Sequence, residues 1–335
     1  MHGLRNETLS RFLGAPGRFA IFGSDAVGES VLDALGDAGL KPAFFLDLDR
    51  SGELRGLEVL PPEAALELDA VVTAGDAARD MTVQLRADGF EGPVLDLTGV
   101  HRAGGAAHHD EALIDAATET IGFARSLLQD DGSREVFDAV LAYRRNLDPG
   151  ELPPAPPGAG HPALPVIEGE WVLDLGSDPG ALLALAEAVG PLGRVHALSP
   201  DPEARRAIAD AVADSALGAR LSVHALGRRR GDAADDDDAT PALASVDDFV
   251  WEVTAGRVDR LRVLAPSPHA ILGGAAATLG EHRPRLVVAL GGRPADLWEL
   301  PILLKERFPG YRLHLGHRGP GATATRLYGR PPEPR

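Results

Sequence analysis

Residues 168–206 read EGEWVLDLGSDPGALLALAEAVGPLGRVHALSPDPEARR, and this stretch decides the fold. Trp171 to Leu175 is an apolar run of the kind buried on both faces in the middle of a parallel sheet. It breaks at Gly176-Ser177-Asp178-Pro179-Gly180 and resumes as an Ala/Leu-rich segment with helical spacing, Leu182 to Val189. After Gly190 and Gly193 a second apolar run, Val195 to Leu198, leads into Ser199-Pro200-Asp201-Pro202. Strand, glycine turn, helix, strand is a βαβ unit opening a doubly wound α/β sheet. Gly176 and Gly180 allow a ligand close to the backbone, and the following helix start offers free N–H groups. With Asp174 closing the strand, the spacing Asp-x-Gly-x-x-x-Gly fits a nucleoside-binding loop. Many βα turns that bind nothing also carry two glycines.

The rest of the chain sets the limits of that reading. At 335 residues, two domains with separate cores are expected. The net charge of −17 and pI of about 5.0 argue against a nucleic-acid partner, since the one dense basic run, Arg228-Arg229-Arg230, is followed at once by acids. With no cysteine there is neither a disulfide nor a thiolate nucleophile or metal site. No apolar run reaches membrane-spanning length and the start lacks a secretory pattern, so the expectation is a cytoplasmic protein with no membrane partner.

The first 105 residues read as a smaller Rossmann-like α/β domain. Phe19 to Phe22 is a buried strand followed by Gly23-Ser24-Asp25-Ala26-Val27-Gly28 and a helix to about Ala38, and further strands are expected at Ala43–Leu46, 57–60, Ala70–Thr73 and Val94–Leu97. A dinucleotide fingerprint needs glycine where Asp25 stands, and a carboxylate there repels a pyrophosphate. Asp47 stands where a ribose-binding acid would lie. A structural or docking role is the plainer expectation for this domain.

Residues 106–150 read as a helical connector. Leu127, Leu128, Val136, Phe137, Val140 and Leu141 form an apolar stripe, interrupted at Asp131-Gly132-Ser133 with Ser133 as the expected N-cap. His108-His109-Asp110 tempts a metal reading. Neighbouring side chains on an extended chain diverge, so surface histidines and no metal are expected. Residues 151–166 are a Pro-rich linker.

Residues 167–332 form the second domain. A helix from Pro202 to Asp214, a strand over Leu221–Leu226, a short helix opened by Ser245, a strand over Arg260–Leu264, a helix over Ala270–Leu279, a strand over Arg285–Leu290 and a helix over Asp296–Phe308 follow in order. Tyr311–His317 and Ala324–Tyr328 close the chain as an antiparallel hairpin. The four aspartates Asp235–Asp238 read as a solvated acidic loop rather than a cation site. A parallel sheet ending in such a hairpin is the layout of class I S-adenosylmethionine-dependent methyltransferases.

Residues 125 to 330 resemble the FkbM family of methyltransferases, in the variant preceded by a small Rossmann-like domain. The resemblance rests on LLQDDGSREVFDAVLAYR (127–144), VLDLGSDPG (172–180), SPDP (199–202), SVDDF (245–249), GGAAATL (273–279), ADLWELPILLKERFPGYRLHLGHR (295–318) and TRLY (325–328). It implies methyl transfer from S-adenosylmethionine to a hydroxyl, often on a sugar or natural product. It places Asp174, Gly176, Ser177, Gly180, Ser199 and Asp201 around the cofactor.

Three departures bear on activity. The family's strand after the glycine loop ends in Glu-Pro-Asp-Pro, whose Glu accepts both ribose hydroxyls. Ser199 stands in its place here and lacks the charge and the bidentate geometry. Loss of such a charge-assisted pair costs about 1.5–3 kcal/mol, a ten- to hundredfold loss in affinity. The family's Ile-Lys-x-Asp-x-Glu-Gly-x-Glu stretch is replaced by RLRVLAPSPHAILGGA, where Arg262 alone resembles the lysine. Gly291-Gly292 stands where the family often has Tyr-His. Deprotonating an alcohol needs a base, and the histidines His269 and His317 are the candidates. Two readings follow: an O-methyltransferase with an altered site, acting on a small-molecule or sugar acceptor, or a catalytically silent methyltransferase fold that has lost the cofactor. The silent form would bind a metabolite or pair with an active methyltransferase relative, and a homo-oligomer fits either reading.

Overall fold

The computed structural model describes residues 5–75, 77–98, 106–154, 161–213, 215–226, 245–319, 321 and 323–332. The acidic loop Asp235–Asp238 lies outside the described residues.

Two sheets organise the chain. The first holds β1 (Phe19–Phe22), β2 (Phe45–Leu46), β3 (Gly52–Leu54), β4 (Leu57–Leu60), β5 (Ala70–Thr73) and β6 (Val94–Asp96), in the order β3-β4-β2-β1-β5-β6. All its pairings are parallel except β3 with β4. The second holds β7 (Trp171–Leu175), β8 (Arg194–Ser199), β9 (Leu221–Ala225), β10 (Arg260–Val263), β11 (Arg285–Ala289), β12 (Arg312–His317) and β13 (Thr325–Arg330). Their order is β12-β13-β11-β10-β7-β8-β9, parallel through β11 and antiparallel at β13. The doubly wound sheet with a closing hairpin, preceded by a smaller α/β layer, is therefore present as expected. Val172 to Leu175 are all buried because helices cover both faces of β7, which is why this strand is apolar without alternation.

The helix Asp131–Asn146 joins the two sheets. Towards the first, the Tyr143 hydroxyl donates to Asp96 Oδ2 at 2.6 Å, and Asp96 N–H donates to the Leu147 carbonyl at 2.8 Å. Towards the second, Leu315 N–H donates to Ser133 Oγ at 2.9 Å and Arg144 Nη1 to the Pro294 carbonyl at 2.8 Å. The helix is capped one turn earlier than the sequence predicts. Asp130 accepts the Ser133 N–H at 2.8 Å and the Ser133 hydroxyl at 2.9 Å, and the hydroxyl oxygen accepts the Leu315 N–H of β12.

Two further expectations are corrected. His108 and His109 are buried, not solvated: they pack at the junction of the two sheets, His109 Nδ1 lying 3.1 Å from the Arg144 carbonyl. Ala270–Leu279 is not one helix but two, Pro268–Gly273 and Ala276–Glu281. Asp247 causes the second start, accepting the N–H groups of Ala277 and Thr278 at 3.0 and 2.8 Å.

At the entry to β7, Glu170 is buried and takes Arg260 Nε at 2.9 Å and Arg285 Nη1 at 2.5 Å. Arg260 also donates to the carbonyls of Leu164 and Pro165, tying the end of the linker to the sheet. Removing the carboxylate strands a buried guanidinium. Glu170→Ala is expected to cost about 3–5 kcal/mol, read as a shift of the urea midpoint. A loss under about 1 kcal/mol would mean that Arg260 reaches water and the pair is a surface bridge.

Candidate functional site

The C-terminal ends of β7 and β10 share one edge of the second sheet, where ligands bind in open α/β sheets. The glycine loop leaves β7 there. Gly176 has φ +104°, and a Cβ would stand 2.6 Å from Ala265 N, so its lack of a side chain is required by the close approach of the chain after β10. Gly180 differs. A Cβ there meets only the Asp178 carboxylate, at 3.2 Å, so the fold does not demand glycine. Asp178 caps the helix Pro179–Ala188 by accepting the Ala181 N–H at 2.9 Å. The backbone at Gly180 is therefore open apart from the Asp178 carboxylate. Gly180→Ala is expected to leave the melting temperature within about 2 °C and weaken nucleoside binding at least tenfold, measured calorimetrically. Unchanged binding would detach the loop from ligand recognition.

Asp174 is buried, and its carboxylate is fully engaged: Ser177 N–H and Oγ donate to it at 3.0 and 2.7 Å, and Arg262 Nη1 stands 2.9 Å away. It holds the loop's shape. At the end of β8, Ser199 Oγ accepts the Asp201 N–H at 3.2 Å, while its carbonyl takes Arg205 Nη1 at 3.0 Å. The Asp201 carboxylate is exposed and accepts the Glu203 N–H at 3.0 Å. It caps the next helix rather than turning toward the glycine loop. Gly176–Gly180 thus leave open backbone that would fit a nucleoside cofactor, while the end of β8 would offer it Ser199 and no carboxylate.

His269 opens the helix Pro268–Gly273, just beyond β10, and its Nε2 lies 3.0 Å from Asp296 Oδ1. Asp296 is fully buried, and Arg293 donates its N–H to the other carboxylate oxygen at 2.8 Å. Gly292 packs against both parts, since a Cβ there would stand 2.3 Å from the Pro266 carbonyl oxygen and 3.0 Å from Asp296 Oδ2. The absence of a side chain at Gly292 lets the β10 and β11 loops close on each other, while Gly291 packs against Thr323, where a Cβ would stand 2.6 Å from the carbonyl oxygen. Asp296 was not readable as a site residue, because its partner is 27 positions away. The Arg293 Nη2 group also reaches His269 Nε2, at 2.5 Å, and Glu299 at 2.6 Å. Donation from Nε2 to Asp296 and acceptance at Nε2 from Arg293 exclude each other. Only the first leaves Nδ1 as a proton acceptor.

His317 sits elsewhere. It is buried on β12, with Nδ1 3.1 Å from Thr325 Oγ. Burial foremost, with Arg144 and Arg79 adding to it against a hydrogen bond to the Gly319 backbone, pushes its pKa down to about 4. It belongs to the packing between the sheets and stays neutral near pH 7.

In the first sheet, Asp25 caps the helix Ala26–Asp37, accepting Val27 and Gly28 N–H at 2.9 and 3.1 Å. The anion position of a dinucleotide site is thus filled by the protein's own carboxylate. Asp47 accepts Ser24 N–H at 3.2 Å and the N–H groups of Asp49 and Arg50 at 3.0 and 3.1 Å. Burial pushes its carboxyl up, but these bonds together with the Ser24 hydroxyl outweigh it and hold the pKa below the ordinary value. Among the described residues no group of three or more acids, cysteines or histidines could hold a metal, and no helix is long and apolar enough to cross a membrane.

The chain is similar in fold to an FkbM methyltransferase from Methylobacillus flagellatus KT, with TM-score 0.70 and 19% identity over 97% of this chain and 94% of that one. Both sheets fall within this alignment. A fibrillarin from Aeropyrum pernix with bound S-adenosyl-L-methionine aligns over 50% of this chain and 69% of its own at 20% identity, TM-score 0.36. A SAM-dependent O-methyltransferase from Thermotoga maritima aligns over 51% of this chain and 62% of its own at 17% identity, TM-score 0.33. No family model and no curated protein matches the sequence. The second sheet is thus a class I methyltransferase fold, in a two-sheet arrangement shared along its length with an FkbM protein.

Proposed function

We propose that the chain is an FkbM-type S-adenosylmethionine-dependent O-methyltransferase with a weakened cofactor site, acting on a hydroxyl of a small molecule or sugar. The observation that carries this reading is the His269–Asp296 pair at the same sheet edge as the glycine loop. Gly176–Gly180 would cradle the cofactor, with Ser199 at its ribose. The cofactor, when bound, supplies an electrophilic methyl group. Asp296 holds Nε2–H of His269, so that Nδ1 can take the acceptor's hydroxyl proton as its oxygen becomes the nucleophile. Arg293 opposes this tautomer and must turn to Glu299, which it already touches, for the base to form.

A second reading is favoured by the state of the acids: Asp174 is committed to Ser177 and Arg262, and Asp201 to Glu203. A silent fold, serving as a binding subunit or as partner to an active methyltransferase, needs neither carboxylate for cofactor. Calorimetric titration with S-adenosylmethionine and S-adenosylhomocysteine separates the two. Binding in the micromolar range supports the enzyme. No heat at millimolar ligand removes the methyl-transfer reading and leaves the silent fold.

A further inference from the structure

The helix Pro179–Ala188 packs Leu182, Leu185 and Ala186 on Val172 and Val195, but beside it the face of the second sheet is not filled. A cavity of about 450 Å³ lies between that helix, the glycine loop and strands β10, β11 and β13, within the size range of small-molecule sites. Its lining carries Arg260, Arg262, Arg318 and Arg326 against one acid, Asp178, in a protein whose net charge is −17. Four cations gathered against the overall charge need an explanation.

The protein's own carboxylates answer only part of it. Glu170 pairs with Arg260 at 2.9 Å and Asp174 with Arg262 at 2.9 Å, while Asp178 is spent on its helix cap. Arg326 has no carboxylate within ion-pair distance among the described residues. Register fixes its position. Arg262 pairs with Val287 and Val287 with Tyr328, so Arg326, two residues before Tyr328, shares their face one step nearer the glycine loop. Strand β11 separates the two arginines with Val287 and Ala289, neither of which can neutralise them. Burial foremost pushes the Arg262 pKa down and Asp174 opposes this, but Arg326 adds to the depression by like-charge repulsion.

We infer that this cavity is an anion site, in which Arg326 and Arg262 bind the carboxylate or phosphate group of a small ligand. Ser199 and Asp201 do not line it, so it lies apart from the ribose end of the cofactor cradle. On the methyltransferase reading, on which this step rests, the group belongs to the acceptor, which is then an acidic molecule such as a sugar phosphate or a hydroxy acid. The cofactor's own carboxylate is the other source of the same chemistry.

The test is calorimetric titration with inorganic phosphate of the wild type, Arg326→Ala and the control Arg312→Ala, which removes an equal charge from an exposed position on β12. Saturable binding that weakens at least tenfold in Arg326→Ala and less than twofold in Arg312→Ala is expected. Because Arg326 opposes Arg262, Arg326→Ala should also melt no lower than the wild type, which a structural arginine would not allow. Absence of saturable binding, or equal loss in both variants, overturns the inference. Repeating the titration with saturating S-adenosylhomocysteine separates the sources: undiminished phosphate binding assigns the site to the acceptor, and displacement overturns that assignment in favour of the cofactor carboxylate. If S-adenosylhomocysteine does not bind while phosphate binds through Arg326, the anion site stands and the methyl-transfer reading falls.

Discussion

Asp296→Asn is expected to lower the rate of methyl transfer about 10²-fold or more, and His269→Ala by about 10²–10⁴-fold, the usual range for loss of a positioned base. The reason lies in the tautomer. With Arg293 turned to Glu299, the carboxylate 3.0 Å from Nε2 selects Nε2–H and so leaves the lone pair on Nδ1. An amide at position 296 can donate its own N–H to Nε2, which places the proton on Nδ1 and removes the base. The effect should fall on kcat, with the binding of S-adenosylhomocysteine unchanged, since neither residue lies in the glycine loop. The double variant should be no slower than His269→Ala, because Asp296 acts only through the ring. A rate in Asp296→Asn within twofold of the wild type would remove His269 as the base. Asp296 is also fully buried and receives the Arg293 N–H, so the melting temperature of each variant must be measured beside its rate.

How much of this was legible in the sequence depends on range. The βαβ unit from Trp171 to Ser199 could be read because a strand buried on both faces must be continuously apolar and must end where glycine lets the chain turn. The hairpin of β12 and β13 was equally local, with alternation and a Gly/Pro turn between. The relationships that make the site were not local. Gly176 reads as a ligand glycine, but the chain after β10 is what requires it, across some 90 positions. The resemblance places Asp201 at the cofactor, yet its own helix start is nearer, and the carboxylate accepts the Glu203 N–H. Arg326 lies within TRLY, which contributes to the resemblance but gives no sign of a ligand. Only the sheet order, which places β13 beside β11, brings it to the face of Arg262. Motif spacing reported the frame, and pairing between distant strands decided which side chains were left over for chemistry.

His108 and His109 teach the same lesson with a measurable consequence in acid. A pair of adjacent histidines in a polar stretch reads as solvated, whereas here both stand with His317 around the buried guanidinium of Arg144. Burial foremost, with repulsion from Arg144 in each case, pushes their pKa values down to about 3, 4 and 4 respectively. Burial next to His224 does the same to His196, to about 4. Arg144 itself, lowered to about 10 by burial, remains charged across this range. Unfolded histidines titrate near 6.5, so below that pH the unfolded chain binds protons that the folded chain refuses. Stability is therefore complete above about pH 6.5 and falls as the pH drops towards 4. Four such groups give a slope of up to about 5 kcal/mol per pH unit, against a total of about 5–15 kcal/mol for a typical domain. Urea midpoints should accordingly be level between pH 7 and 8 and collapse near pH 5, with His108→Gln flattening the slope by about one proton. A midpoint that stays level down to pH 5 would mean that these rings are protonated in the folded protein. The junction between the sheets would then have to admit water around Arg144.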